Sequence, residues 1–142
     1  MKVLVLCGDE WHPAVVPRAG LQALKGIEYA FDWMTDVGDW SPEGMAAYRF
    51  VVLAKSIQRS PEDQTEWLEE PVQEAIPDYV RRGNGLLAVH AGTAGYEKSP
   101  VLRRLLGGAF AHHPGPCPVT VIPRDGHPLA SGCTTFTLED EH

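Results

Sequence analysis

The stretch Gly83-Asn84-Gly85-Leu86-Leu87-Ala88-Val89-His90-Ala91-Gly92-Thr93-Ala94-Gly95 decides the fold. An apolar run without polar alternation has the form of a strand buried on both faces, as in a parallel sheet covered by helices. It leads into a histidine and then a glycine-rich turn, which places the His90 imidazole at the carboxyl end of the strand. In open α/β sheets that edge is where ligands bind.

Working outward, Val3-Leu4-Val5-Leu6-Cys7 is a short apolar run stopped by Gly8 and two acids, a buried first strand. A helix is expected over 14–25, with Val15, Val16, Leu21 and Leu24 as its apolar face and Gly26 closing it. Further strands are expected over 28–34, 50–54, 86–89 and 119–122. Ser60-Pro61-Glu62-Asp63 has the form of a helix start, with serine as cap, proline in the first turn and carboxylates at the positive end of the helix dipole. The helical stretch from there to Arg82 is broken or kinked by Pro71 and Pro77. Ser99-Pro100 opens another helix, with Val101, Leu102, Leu105 and Leu106 on one face and Gly107-Gly108 at its end. Strands alternating with helices predict an α/β, flavodoxin-like three-layer fold with a mainly parallel sheet.

The 142 residues suit one domain over 1–142. Nineteen acidic against twelve basic side chains leave a formal charge of −7 and argue against a phosphate backbone, so no nucleic-acid partner is expected. A small uncharged or metal-bound partner suits the charge better, and homo-oligomer formation is compatible with it. Cys7, Cys117 and Cys133 form no even disulfide framework, which points to a reducing, cytoplasmic setting. No apolar run approaches a membrane span, so neither anchor nor membrane partner is expected. The strand expected over 134–138 runs into Glu139-Asp140-Glu141-His142 with no closing helix, so a C-terminal part is expected to be missing.

Several residues could carry chemistry. His90 stands on a sharp strand-to-helix turn, the alternative being a histidine satisfied by a carbonyl with no reactive role. Of His112 and His113, which point in opposite directions in extended chain, His113 is favoured because Pro114 biases it towards the extended region. His12, beside Asp9 and Glu10 just past the first strand, shares the same rim. Imidazoles converging there, His12, His90 and His113, could bind a divalent metal such as zinc, although no metal-ligand spacing is present. Glu141 could supply a carboxylate as base or ligand, or belong to a solvated acidic tail. His127-Pro128 has the form of a structural turn.

Four pieces taken together resemble the trehalose-utilisation (ThuA-like) family: Gly83 to Gly92, Leu106 to Pro114, His127 to Gly132, and Phe136 to Glu141. The resemblance implies a fold related to class I glutamine amidotransferases and a link with sugar metabolism. Where those relatives carry a cysteine at the strand-to-helix turn, this chain has His90, so a thiolate attacking glutamine is not expected. The expected function is to act on a small-molecule sugar or sugar derivative at a histidine-lined rim, with His90, His113 and Glu141 as catalytic groups. The alternative is a non-catalytic module that binds a carbohydrate or a protein on the same scaffold.

Overall fold

The computed structural model describes residues 1–26, 28–69 and 72–140. The chain divides into two compact units, Met1–Phe110 and Ala111–His142.

The first unit contains four strands, β1 (Lys2–Cys7), β2 (Ala30–Met34), β3 (Phe50–Ala54) and β4 (Gly85–Ala88), all parallel in the order β2-β1-β3-β4. The helices are α1 (Val15–Gln22), α2 (Pro42–Ala46), α3 (Ala75–Arg81) and α4 (Pro100–Leu106). Strand order reverses between β1 and β3, the topological switch point at which open α/β sheets form a crevice. This is the expected α/β, flavodoxin-like arrangement.

Alternation of side chains along each strand divides the core into two layers. Leu4, Leu6, Val51 and Leu53 face a large cluster with Trp67, Leu68, Ile76, Tyr79, Tyr96 and Leu102. On the opposite face, Val3, Val5, Cys7, Val52 and Ala54 pack against Ala14, Leu21, Phe31 and Trp33. Fully burying each aliphatic side chain stabilises by about 1.5–3 kcal/mol before chain entropy is counted.

The helix starts divide instructively. Ser99 caps α4 as expected, its Oγ accepting from Leu102 N at 3.4 Å, and Gly107 closes the helix at φ 83°. Ser41-Pro42-Glu43, the same pattern, opens α2, with Ser41 Oγ accepting from Gly44 N at 3.0 Å. Ser60-Pro61-Glu62 opens no helix. Trp67 N donates to Ile57 O at 3.0 Å, Arg59 N to Thr65 O at 2.9 Å and Ser60 N to Asp63 O at 3.0 Å. These antiparallel exchanges consume the backbone groups that a helix would need, while Trp67 is drawn into the core. Among the described residues, helical backbone in this stretch comprises a single 3-10 turn over Val72–Glu74 followed by α3. Pro77 sits in the first turn of α3, where a missing N–H costs little; Pro71 lies outside the described residues.

The apolar face expected on α1 is also revised. Val15 and Val16 are each 67% exposed and Leu24 is 52% exposed. The packed side carries Ala14, Arg18 and Leu21, with the Arg18 guanidinium 5.3 Å from the Trp33 ring centroid. A cation over an indole takes the place that a hydrophobic count alone assigns to valine.

In the second unit β5 (Cys117–Val121) pairs antiparallel with β6 (Phe136–Asp140) in a separate two-stranded sheet. The strand expected over 119–122 is thus formed early and in a hairpin-like ladder rather than as a fifth parallel strand. Thr120 and Thr137 join their hydroxyls across it at 2.9 Å. Among the described residues, no helix is long and apolar enough to cross a membrane.

Candidate active site

The carboxyl ends of β1, β3 and β4 build the site. After β1, Gly8 turns the chain at φ 87°, and Asp9 drops into the crevice with 1% of its surface exposed. Its Oδ1 accepts from Trp11 N and His12 N, each at 3.0 Å, and lies 2.7 Å from His12 Nδ1. Its Oδ2 accepts from Ser56 N, just past β3, at 2.8 Å. Burial alone would raise the carboxyl pKa. The hydrogen bonds from Ser56 and His12 outweigh it, and the group is held below its ordinary value.

With Asp9 ionised, His12 Nδ1 carries the proton in that 2.7 Å contact, and Nε2 is left as the basic nitrogen. The His90 ring stands edge to face against His12, with 5.0 Å between ring centroids. His90 is the only described non-glycine residue with positive φ, at 45°, at the junction of extended Val89 and a 3-10 turn over His90–Thr93. Such strain persists only where the surroundings impose it. Two contacts impose it here: Val89 N donates to Leu53 O at 2.9 Å, and Gly92 passes so near β3 that a Cβ on it would lie 2.0 Å from Leu53 O.

Below this rim lies Lys55, fully buried at the end of β3. Its ammonium donates to Gly8 O at 3.0 Å, Thr35 O at 3.4 Å and Arg59 O at 2.7 Å, tying together the segments that follow β1, β2 and β3. Desolvation lowers its pKa to about 8. The hydroxyl of buried Tyr96 donates to Lys55 O at 3.1 Å, which holds the backbone of the same turn.

The expected residues fare differently. His90 and His12 come together on one rim, with Asp9 behind them. His113 belongs to the second unit, where it is exposed and its Nδ1 donates to Pro114 O at 2.8 Å. Glu141 lies outside the described residues. Among the described residues no three His, Cys, Asp or Glu side chains are gathered so that they could hold a metal ion, so the expected zinc-type site at His12, His90 and His113 gains no support. His127 has the structural place expected of it: its Nδ1 accepts from Leu129 N at 3.2 Å over a short 3-10 turn. Cys7 is buried and its thiol pKa is pushed up by burial, which suits an inert core residue. Lys55 and Ser56 were not singled out in the sequence. The signal was a lysine directly after the all-apolar run Phe50 to Ala54, a cation that the fold must bury or turn outward.

Comparison with known proteins agrees with this architecture. The chain is similar to a thua-like protein of Bacteroides uniformis ATCC 8492, with a TM-score of 0.70 and 18% sequence identity. The match covers 98% of this chain and 58% of that one, so the chain spans little more than half the length of that relative. No curated protein matches the sequence. The profile of the ThuA family, described as trehalose utilisation, matches residues 2–142. The chain therefore belongs to the trehalose-utilisation (ThuA) family.

Proposed function

We propose that the chain acts on a sugar or sugar derivative by proton transfer at the Asp9–His12–His90 rim. The observation that carries this reading is the buried carboxylate 2.7 Å from His12 Nδ1, with the His90 ring 5.0 Å from the His12 ring. Asp9 sets the tautomer and orientation of His12, whose Nε2 takes a proton from the sugar. His90 returns one, and the two rings then restore their starting proton states by exchange with water, so that both the substrate's and the pair's proton counts are unchanged over the cycle. Such a pair suits isomerisation or epimerisation at a hydroxyl-bearing carbon next to a carbonyl. The family description, trehalose utilisation, supplies the sugar class. His113 and Glu141 are not needed for this step. The free cysteines fit a cytoplasmic setting.

A non-catalytic carbohydrate- or protein-binding module is the second reading, favoured by Trp11, which is 72% exposed beside the rim. The two readings separate on paired variants. Turnover of a panel of trehalose, glucose and their oxidised and keto derivatives should fall about 10²–10⁴-fold in both His12→Gln and His90→Ala. Full turnover in both variants would remove the histidines from the chemistry.

A further inference from the structure

The three N–H donors of the buried Lys55 ammonium match three backbone carbonyls, and the one that it takes from the segment after β1 belongs to the peptide joining Gly8 to Asp9. A peptide is planar, so its two polar ends turn together. Gly8 O accepts from Lys55 Nζ at 3.0 Å, and Asp9 N, at the other end of the same plane, donates to His12 O at 3.3 Å. Gly8 stands at φ 87°, where glycine is at ease and other residues are not, so the plane that follows it has little restraint of its own. Lys55 supplies that restraint. The bonds to Thr35 O at 3.4 Å and Arg59 O at 2.7 Å fix the ammonium in turn, so Gly8 O is held from a rigid base.

The next residue completes the grip. Ser56 N donates to Asp9 Oδ2 at 2.8 Å, while Oδ1 accepts from His12 N at 3.0 Å and lies 2.7 Å from His12 Nδ1. Lys55 and Ser56, consecutive after β3, thus hold Asp9 by its main chain and by its carboxylate, and the Tyr96 hydroxyl fixes them from behind through Lys55 O. A turn of the Gly8–Asp9 plane would break the bond to His12 O and swing the carboxylate off Nδ1. The charges agree with the geometry: Asp9 comes before Cys7 and Asp36 among the groups that act against desolvation to keep Lys55 protonated. A buried ion seldom adds net stability over an apolar side chain of its size, so packing alone gives no reason for a lysine here.

We propose that Lys55 is a positioning residue for the Asp9–His12 pair: its ammonium fixes the Gly8–Asp9 peptide, which keeps the Asp9 carboxylate on His12 Nδ1 and leaves Nε2 as the basic nitrogen. Lys55 itself touches neither substrate nor the reacting atoms. The role rests on the proton-transfer reading above, in which His12 Nε2 takes the proton.

The test reads the His12 ring by long-range ¹H–¹⁵N correlation in wild type and Lys55→Met, both in trimethylamine N-oxide, which favours the folded chain. Wild type should show the Nδ1–H tautomer, and folded Lys55→Met a mixture with Nε2–H. In turnover of the sugar panel, kcat of Lys55→Met should fall about ten- to a hundredfold with KM within about threefold, the mark of a misplaced group rather than of lost binding. Ser99→Ala, destabilising but placed at the start of α4, should keep the wild-type tautomer and kcat. Wild type also answers without any variant: a scalar coupling across the hydrogen bond between Lys55 ¹⁵Nζ and Gly8 ¹³C′ should be present. Absence of that coupling, an unmixed Nδ1–H tautomer in folded Lys55→Met, or an equal effect in Ser99→Ala would each overturn the role. An Nε2–H tautomer in wild type would overturn both the role and the reading beneath it. A sugar panel that is not turned over at all fails that reading alone, and the tautomer then still decides the role of Lys55.

Discussion

His12 and His90 meet edge to face, 5.0 Å between ring centroids, although they follow β1 and β4, two strands separated in the sheet by β3. The contact depends on β3 twice: Ser56 holds Asp9 and thereby His12, and Leu53 O receives Val89 N just before the turn that carries His90. Variants can therefore separate the chemistry of the rim from its support.

Asp9→Asn should lose activity and about 2 kcal/mol of stability, because an amide presents N–H groups where four donors now converge on one carboxylate. The folded-state pKa of Asp9 lies below 3.8, so its stabilising contribution is full above that value and is lost as pH falls through the folded value. Urea unfolding followed from pH 6 downward should show the gap between wild type and Asp9→Asn narrowing below 3.8. A gap independent of pH would contradict an ionised, hydrogen-bonded Asp9.

Lys55→Met should cost about 2–4 kcal/mol, since three backbone carbonyls lose a buried donor. The folded-state pKa, about 8, lies below the ordinary 10.5, so the unfolded chain holds this proton more tightly. Stability carried by Lys55 therefore rises as pH increases from about 8 to 10.5. Denaturation at a series of pH values should show wild type gaining on Lys55→Met across that window.

Gly92→Ala should destabilise by about 3 kcal/mol or fail to fold, because the new Cβ would stand 2.0 Å from Leu53 O. Gly20→Ala, in α1 with open space around it, should instead raise stability by up to about 1 kcal/mol. Thermal unfolding of the two variants side by side checks both signs.

Ser99→Ala should cost about 1 kcal/mol, because Ser99 Oγ accepts from Leu102 N and also donates to Gln73 Oε1 at 2.7 Å. Ser60→Ala should cost a similar amount without reducing helix content, since Ser60 closes a loop, accepting from Glu62 N at 3.2 Å and Asp63 N at 3.1 Å. Far-ultraviolet circular dichroism distinguishes the two.

The parallel sheet was legible because burial on both faces leaves unmistakable apolar runs at Val3 to Cys7 and Phe50 to Ala54. The turn at His90 was legible for a related reason: only a strand end followed by Gly92 and Gly95 brings the chain back so closely over β3. What escaped depends on partners distant in sequence. Val15 and Val16 satisfy a helical pattern, yet Arg18 takes the packed side because Trp33 lies opposite it. Ser60-Pro61 has the same local signal as Ser41-Pro42 and differs only in the antiparallel exchange between Ile57 and Trp67. The grouping of Asp9 with His12 was visible, but its anchor is a backbone N–H on Ser56, which has no sequence signature.

Proton transfer at the rim is tested most directly by incubating the wild-type chain in D₂O with the trehalose-derived sugar panel and following carbon-bound hydrogens by ¹H NMR. If His12 and His90 exchange a substrate proton, deuterium from solvent should enter one sugar carbon at a rate abolished by His12→Gln. Turnover of a panel sugar with no deuterium entering any carbon, or incorporation unaffected by His12→Gln, would contradict the proposed role of the pair.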